Sequence, residues 1–184
     1  MLELLSLRIA KKLRAMDPKG TVPIPVMAYE LGFRLNFRAA LALTALLGWA
    51  SGELMYSLIS FFTFVLMRKF SGGLHMESLT ACAIISALIF SMIPQINVAP
   101  AMVFIFTAIS TIIYGIYAPN FTTESIPSTS PVLCKIITVT LCLANFVIAS
   151  PVLALTFLVQ AVLILPIVQK TKGVTDHEIN TKNI

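Results

Sequence analysis

From Leu35 to Val168 the chain is a succession of long apolar runs, and only brief polar or proline-bearing breaks separate them. About 20 apolar residues cross the hydrocarbon core of a bilayer as a helix, and a helix is one of the few structures that satisfies all of its backbone polar groups there. The composition agrees: 58% of the residues are hydrophobic and 11% charged, against about 25% charged in ordinary globular domains. The chain therefore reads as an integral membrane protein. Its 184 residues leave room for one compact helical domain and none for a separate soluble catalytic domain.

The apolar signal from Leu35 to Met67 is interrupted near its middle by Gly48, Ser51, Gly52 and Glu53. We read a hairpin turning at Ser51 to Glu53, with short limbs helped by snorkelling of Arg38 and Arg68. Further runs cover Leu79 to Ile93, Ala101 to Ala118, Val132 to Ala149 and Val152 to Val168, which brings the apolar segments to six. Their breaks are Pro94 to Pro100, Pro119 to Pro131, and Ser150 with Pro151. No convincing internal repeat is present, so inverted transporter repeats are not supported.

Ahead of these runs, Leu2, Leu5, Ile9, Leu13 and Met16 recur at steps of three and four, with Arg8, Lys11, Lys12 and Arg14 mostly on other faces. That is a basic amphipathic helix suited to a membrane surface. It is not a signal peptide, because charges interrupt it throughout. Asp17, Pro18 and Gly20 end it, Pro23 and Pro25 keep the next residues extended, and a weaker amphipathic stretch runs from Val26 to Phe37. The expected fold is all-α and polytopic, with about six transmembrane helices and an N-terminal amphipathic interfacial helix. One membrane domain is expected, comprising an amphipathic segment (1–20), a transmembrane core (35–168) and a cytoplasmic tail (169–184).

The net charge of +5 is not the footprint of a nucleic-acid binder, since the basic residues are not interleaved with exposed aromatics on a soluble face. They encode orientation instead. With six spans and a cytoplasmic N-terminus, the outer loops Ser51 to Glu53, Pro94 to Pro100 and Ser150 with Pro151 contain no Lys or Arg, so all 13 basic residues fall on the other side or at its helix ends.

That orientation places one unusual segment at the cytoplasmic surface: Arg68 to Cys82, RKFSGGLHMESLTAC. A thiolate is a strong nucleophile and an imidazole can accept the thiol proton near neutral pH, so a Cys/His pair is the minimum kit for acyl transfer from a peptide. On an unbroken helix His75 and Cys82 would lie about 10 Å apart along the axis, too far for a direct hydrogen bond. If they act together, His75 belongs in a loop folded back over the first turn of a helix that holds Cys82, with Gly72 and Gly73 supplying the freedom to bend. Cys82 also reads as a small core residue and His75 as an interfacial one, and residue types alone leave both readings open. The cysteines Cys82, Cys134 and Cys142 have no zinc-like spacing and their odd number opposes a disulfide framework, so neither metal nor cofactor is expected. In a reducing cytosol Cys82 stays a thiol.

Arg68, Gly72, Gly73, His75 and Cys82, in the order R-x3-GG-x-H-x6-C, together with the string Tyr117, Ala118, Pro119, resemble the accessory gene regulator B (AgrB) family. These are membrane cysteine endopeptidases of Gram-positive quorum sensing, and the resemblance extends over essentially the whole chain. It implies that Cys82 is the nucleophile and His75 its base, with Arg68, Gly72 and Gly73 supporting the motif. The implied partner is a small AgrD-like propeptide, cut at the C-terminal side of its signal segment and held as a thioester on Cys82. A Cys or Ser of the propeptide then closes a thiolactone or lactone ring. The implied location is the cell membrane, with the active site facing the cytoplasm and a homodimer as one oligomeric option. Two readings from other classes stand beside this one: a small transporter or channel subunit in which Glu53 and His75 mark a polar route, and a noncatalytic partner of a membrane sensor.

Overall fold

The computed structural model describes residues 1–17, 21–73, 78–120 and 130–166. Among these the chain is all helical: α1 (Leu2–Met16), α2 (Ile24–Ala50), α3 (Leu54–Ser71), α4 (Leu79–Met92), a 3-10 turn at Ile93–Gln95, α5 (Pro100–Tyr117), α6 (Pro131–Ile148) and α7 (Pro151–Ile164). Pro at N1 opens α5, α6 and α7, where its missing N–H would have been unpaired in any case and its fixed φ suits the helix. Four helices, α2, α3, α5 and α6, are long and apolar enough to cross a membrane, and α4 and α7 are shorter apolar helices. The chain is an all-α polytopic membrane protein.

Two expectations about helix limits are corrected. The amphipathic stretch at Val26 to Phe37, which leads directly into the first spanning segment, forms one helix with it, so the short first limb expected of the hairpin is instead a helix of 27 residues, about 40 Å long. Nothing between Ile24 and Ala50 breaks a helix, since interior glycines weaken one without ending it, so the first limb of the hairpin is long and needs no help from snorkelling. The helix formed by the last run ends at Ile164: Leu165 leaves it with φ −63° and ψ 135°, because Pro166 disfavours helical geometry in the residue before it, and the run's last residues, Ile167 and Val168, lie outside the described residues. The hairpin turn itself falls at Ser51 to Glu53 as expected, with Gly52 at φ 80°.

The described chain forms two compact units. The first holds α1, α2, α3 up to Phe61, and α4. The buried face of α2 is Gly32, Asn36, Ala40, Thr44 and Gly48, one small or polar residue every four positions. This stripe lets other backbones come close: a Cβ on Gly32 would stand 2.8 Å from Leu79 Cδ1 and 3.3 Å from Ser6 Oγ, so α1, α2 and α4 meet at that glycine. On α4 the buried face is Ala83, Ala87, Phe90 and Ser91. Phe61 closes the unit, with its ring 5.5 Å from Phe37 and 6.0 Å from Phe90.

The second unit holds the rest of α3 with Gly72 and Gly73, and the chain from Ile93 onward. Its core is Met67, Tyr114, Ala118, Cys142, Phe157, Ala161 and Ile164. The Tyr114 hydroxyl donates to the Phe157 carbonyl at 2.9 Å. Asn145 on α6 donates to Thr107 Oγ1 on α5 at 2.9 Å and accepts from the Ser150 N–H at 3.1 Å, tying two helices to the following turn. Thr107, Thr138 and Thr156 return their hydroxyls to the carbonyl four residues back, so buried hydroxyls cost little. In both units large apolar side chains point outward, among them Leu46, Trp49, Ile84, Phe104, Ile112 and Val147. Small and polar residues inside with bulky apolar ones outside is the pattern of helices packed in lipid, where close backbone approach and hydrogen bonds replace the hydrophobic drive.

Candidate active site

Cys82 lies in the first turn of α4, and its N–H makes the first helical bond of that turn, to the Ser78 carbonyl at 2.9 Å. The expected placement at the start of a helix therefore holds. Its thiol is half-buried, whereas Cys134 and Cys142 are fully buried. Cys142 is further occupied by the Thr111 hydroxyl at 3.3 Å. Of the three thiols, Cys82 is the one that is not fully buried. Facing it from α2 is Asn36, whose Nδ2 stands 3.9 Å from Sγ.

The end of the helix that carries Cys82 is capped twice. The Ser78 hydroxyl accepts from the Ala81 N–H at 3.3 Å, a local N-cap. The second cap comes from α1: Glu3 Oε1 accepts from the Leu79 N–H at 2.6 Å and from the Ser78 hydroxyl at 3.2 Å, while Thr80 Oγ1 donates to Oε2 at 3.3 Å. A carboxylate suits the positive end of a helix dipole. The Glu3 carboxyl is held low, at about 2, chiefly by its own backbone N–H and then by the terminal ammonium, with Leu79 and Ser78 adding to these. The amphipathic helix is thus oriented with Ser6 and Ala10 buried, whereas Leu5, Leu13 and Met16 are exposed and free for lipid.

Arg68, Gly72 and Gly73 fall in the second unit. Arg68, in the last turn of α3, sets its guanidinium 5.6 Å from the centre of the Phe64 ring. The Gly pair ends the helix with φ of 73° and 123°, values that favour glycine. Both glycines are gripped. The Gly73 N–H donates to the Asn120 carbonyl at 3.0 Å, and the Asn120 N–H donates to the Ser71 carbonyl at 2.8 Å. Gln160 Nε2 on α7 donates to the Gly72 carbonyl at 2.7 Å and to Ser71 Oγ at 2.8 Å. The Tyr117, Ala118, Pro119 string thus delivers Asn120 to the Gly pair, and Asn120 Nδ2 donates onward to the Ile164 carbonyl at 3.1 Å. His75 lies outside the described residues, and with it the fold-back expected for the imidazole. Glu53 sits in the hairpin turn between α2 and α3 rather than within a helix.

Glu3, Asn36, Asn120 and Gln160 were not singled out by sequence. Their partners are dozens of residues away, so no local spacing marks them. A signal did exist for Asn36: it interrupts an otherwise small-residue stripe at every fourth position of α2. Polar side chains on the inward face of a membrane helix are worth flagging by default.

The sequence matches the family model AgrB, accessory gene regulator B, over residues 5–169. The chain belongs to the AgrB family. A protein of Halalkalibacterium halodurans described as "Putative AgrB-like protein" is 25% identical over 174 residues, covering 91% of this chain and 88% of that protein. No solved structure matches. Membership in the AgrB family supports a general role in the processing of quorum-sensing peptides, and the family is known for peptidase activity.

Proposed function

We propose that this AgrB-family chain is a cysteine endopeptidase of the cell membrane that cleaves an AgrD-like propeptide at the cytoplasmic face and promotes its cyclisation. The Cys82 thiol gives its proton to His75. Sγ attacks the scissile carbonyl carbon, whose π electrons move to oxygen. Collapse breaks the C–N bond, the leaving amine takes the proton from His75, and a thioester remains on Cys82. A thiol or hydroxyl of the propeptide, giving its proton to His75, then attacks that carbonyl; the C–S bond to Cys82 breaks, Sγ takes the proton back from His75, and a thiolactone or lactone ring closes. The thioester on Cys82 keeps the acyl group activated, so ring closure by either nucleophile needs no ATP. Arg68, Gly72 and Gly73 support the segment that leads to His75, and the whole chain acts as one membrane domain.

The observation that carries this reading is the position of Cys82: half-buried, in the doubly capped first turn of α4, in a chain that matches the family over 165 of its 184 residues (5 to 169 inclusive). The test is cleavage of a cognate propeptide in membranes. Cys82→Ala should abolish it while the protein still inserts, and Cys82→Ser should be nearly inactive, since a hydroxyl is far harder to deprotonate. Cys142→Ala should cleave normally. Replacing the ring-closing Cys or Ser of the propeptide by Ala should trap a hydroxylamine-sensitive adduct on Cys82. Normal cleavage by Cys82→Ala would sink the peptidase reading.

A further inference from the structure

We infer that Asn36 is a further catalytic residue, a hydrogen-bond donor that contacts the Cys82 sulfur and aims it at the scissile carbonyl. The inference rests on the peptidase reading for its consequence in turnover, and on geometry for the contact itself. Both residues belong to the first unit. Asn36 lies one helical turn beyond Gly32, the point where α2 meets Leu79 of α4, and this places its Nδ2 at 3.9 Å from Cys82 Sγ. The residue is 9% exposed, and its Oδ1 is buried with no hydrogen-bond partner among the described residues.

Stability does not explain an amide in that position. A buried polar atom without a partner is costly, and an apolar side chain of the same shape is commonly neutral or better. Around it the α2 stripe consists of Gly32, Ala40, Thr44 and Gly48, of which the one other polar side chain, Thr44, satisfies itself on the Ala40 carbonyl at 2.8 Å. Asn36 differs in sending its donor across to another helix, and the atom it reaches is the sulfur of the half-buried thiol. A neutral N–H donor is well suited there. It fixes the position of the sulfur without placing a second titrating group beside the nucleophile.

The test uses the full-length protein in membranes and compares Asn36→Leu, which keeps the shape and removes the donor, with Asn36→Asp, which keeps the shape and adds a charge opposed to a thiolate. The rate of Cys82 alkylation by iodoacetamide near pH 7 should fall about tenfold in the Leu variant and further in the Asp variant. Thermal stability of the Leu variant in detergent should be unchanged or higher. Propeptide cleavage should show a comparable fall in kcat with KM within about twofold. A purely packing role predicts the opposite pattern, and wild-type alkylation in Asn36→Leu would overturn the inference. Should the Leu variant fail to insert, Asn36→Ala carries the same comparison with the same two outcomes. Failure of the peptidase reading is distinguishable: Cys82→Ala would then cleave normally, while the alkylation rates would still report whether Asn36 acts on the sulfur.

Discussion

Gly52 and Gly73 both have positive φ, yet substitution at the two sites should have different effects. At Gly52 an added Cβ would meet nothing within 4 Å, whereas at Gly73 it would stand 3.3 Å from Gln160 Nε2, an atom pinned by its bonds to Ser71 and Gly72. Gly52→Ala should therefore cost only the backbone term, about 1 kcal/mol. Gly73→Ala should cost about 2 kcal/mol or more, because its φ of 123° lies where L residues are strained and the neighbour cannot give way. Thermal unfolding in detergent checks the difference, and equal losses would show that the Gln160 grip is not rigid. The glycine pair and Cys82 were legible in the sequence because residue type alone announces them. Asn120 and Gln160 were not, since what makes them matter is a partner 47 and 88 positions away, as in the Asn120 carbonyl accepting from Gly73 and Gln160 donating to Gly72.

Helix α1 was legible to the residue: the periodicity predicts Leu2 to Met16, and the helix spans Leu2–Met16. Its attachment was not legible, because Glu3 reads as one more polar position until the start of α4 is brought to it. The carboxylate grip has a definite pH signature. A carboxyl lowered from 4.5 to about 2 contributes stability that is complete above its ordinary value and is lost as pH falls from there through the lowered one. The stability contributed by the Glu3 carboxylate, most of it from bonds at the start of α1 and the rest from Leu79 and Ser78 of α4's first turn, should therefore be flat between about pH 5 and 8 and weaken only below about 4.5, as read by protease cleavage within α1. At neutral pH, Glu3→Ala should expose the Leu79 and Thr80 amides to hydrogen exchange and slow propeptide cleavage severalfold, a capping loss of about 1 kcal/mol. Unchanged exchange in the first turn of α4 would show that Ser78 suffices. The far limit of α7 was legible in principle, since Pro166 disfavours helical geometry at Leu165.

For the whole molecule, the apolar runs and their polar breaks made the all-α polytopic class readable, because lipid permits so few alternatives. Burial was harder to read. Hydropathy marks the residues that face lipid, while the packed faces are written in small and polar residues such as Ser57, Ser60, Thr107 and Thr138, which a hydropathy scan treats as weak points. Orientation is argued from charge: reporters fused after Lys19, between Pro119 and Pro131, and after Lys170 should read cytoplasmic, and one at Gln95 should read outside. A cytoplasmic Gln95 would reduce the spans to the long helices α2, α3, α5 and α6. The burial of Cys134 and Cys142 has a practical corollary as well. The unmodified protein is its own single-probe instrument: a maleimide dye added to native membranes should raise the mass by one label, and by three after denaturation in detergent, matching the cysteines at Cys82, Cys134 and Cys142. A fluorophore or spin label can then follow the turn that bears Cys82 during propeptide binding, with no cysteine-free background to engineer first.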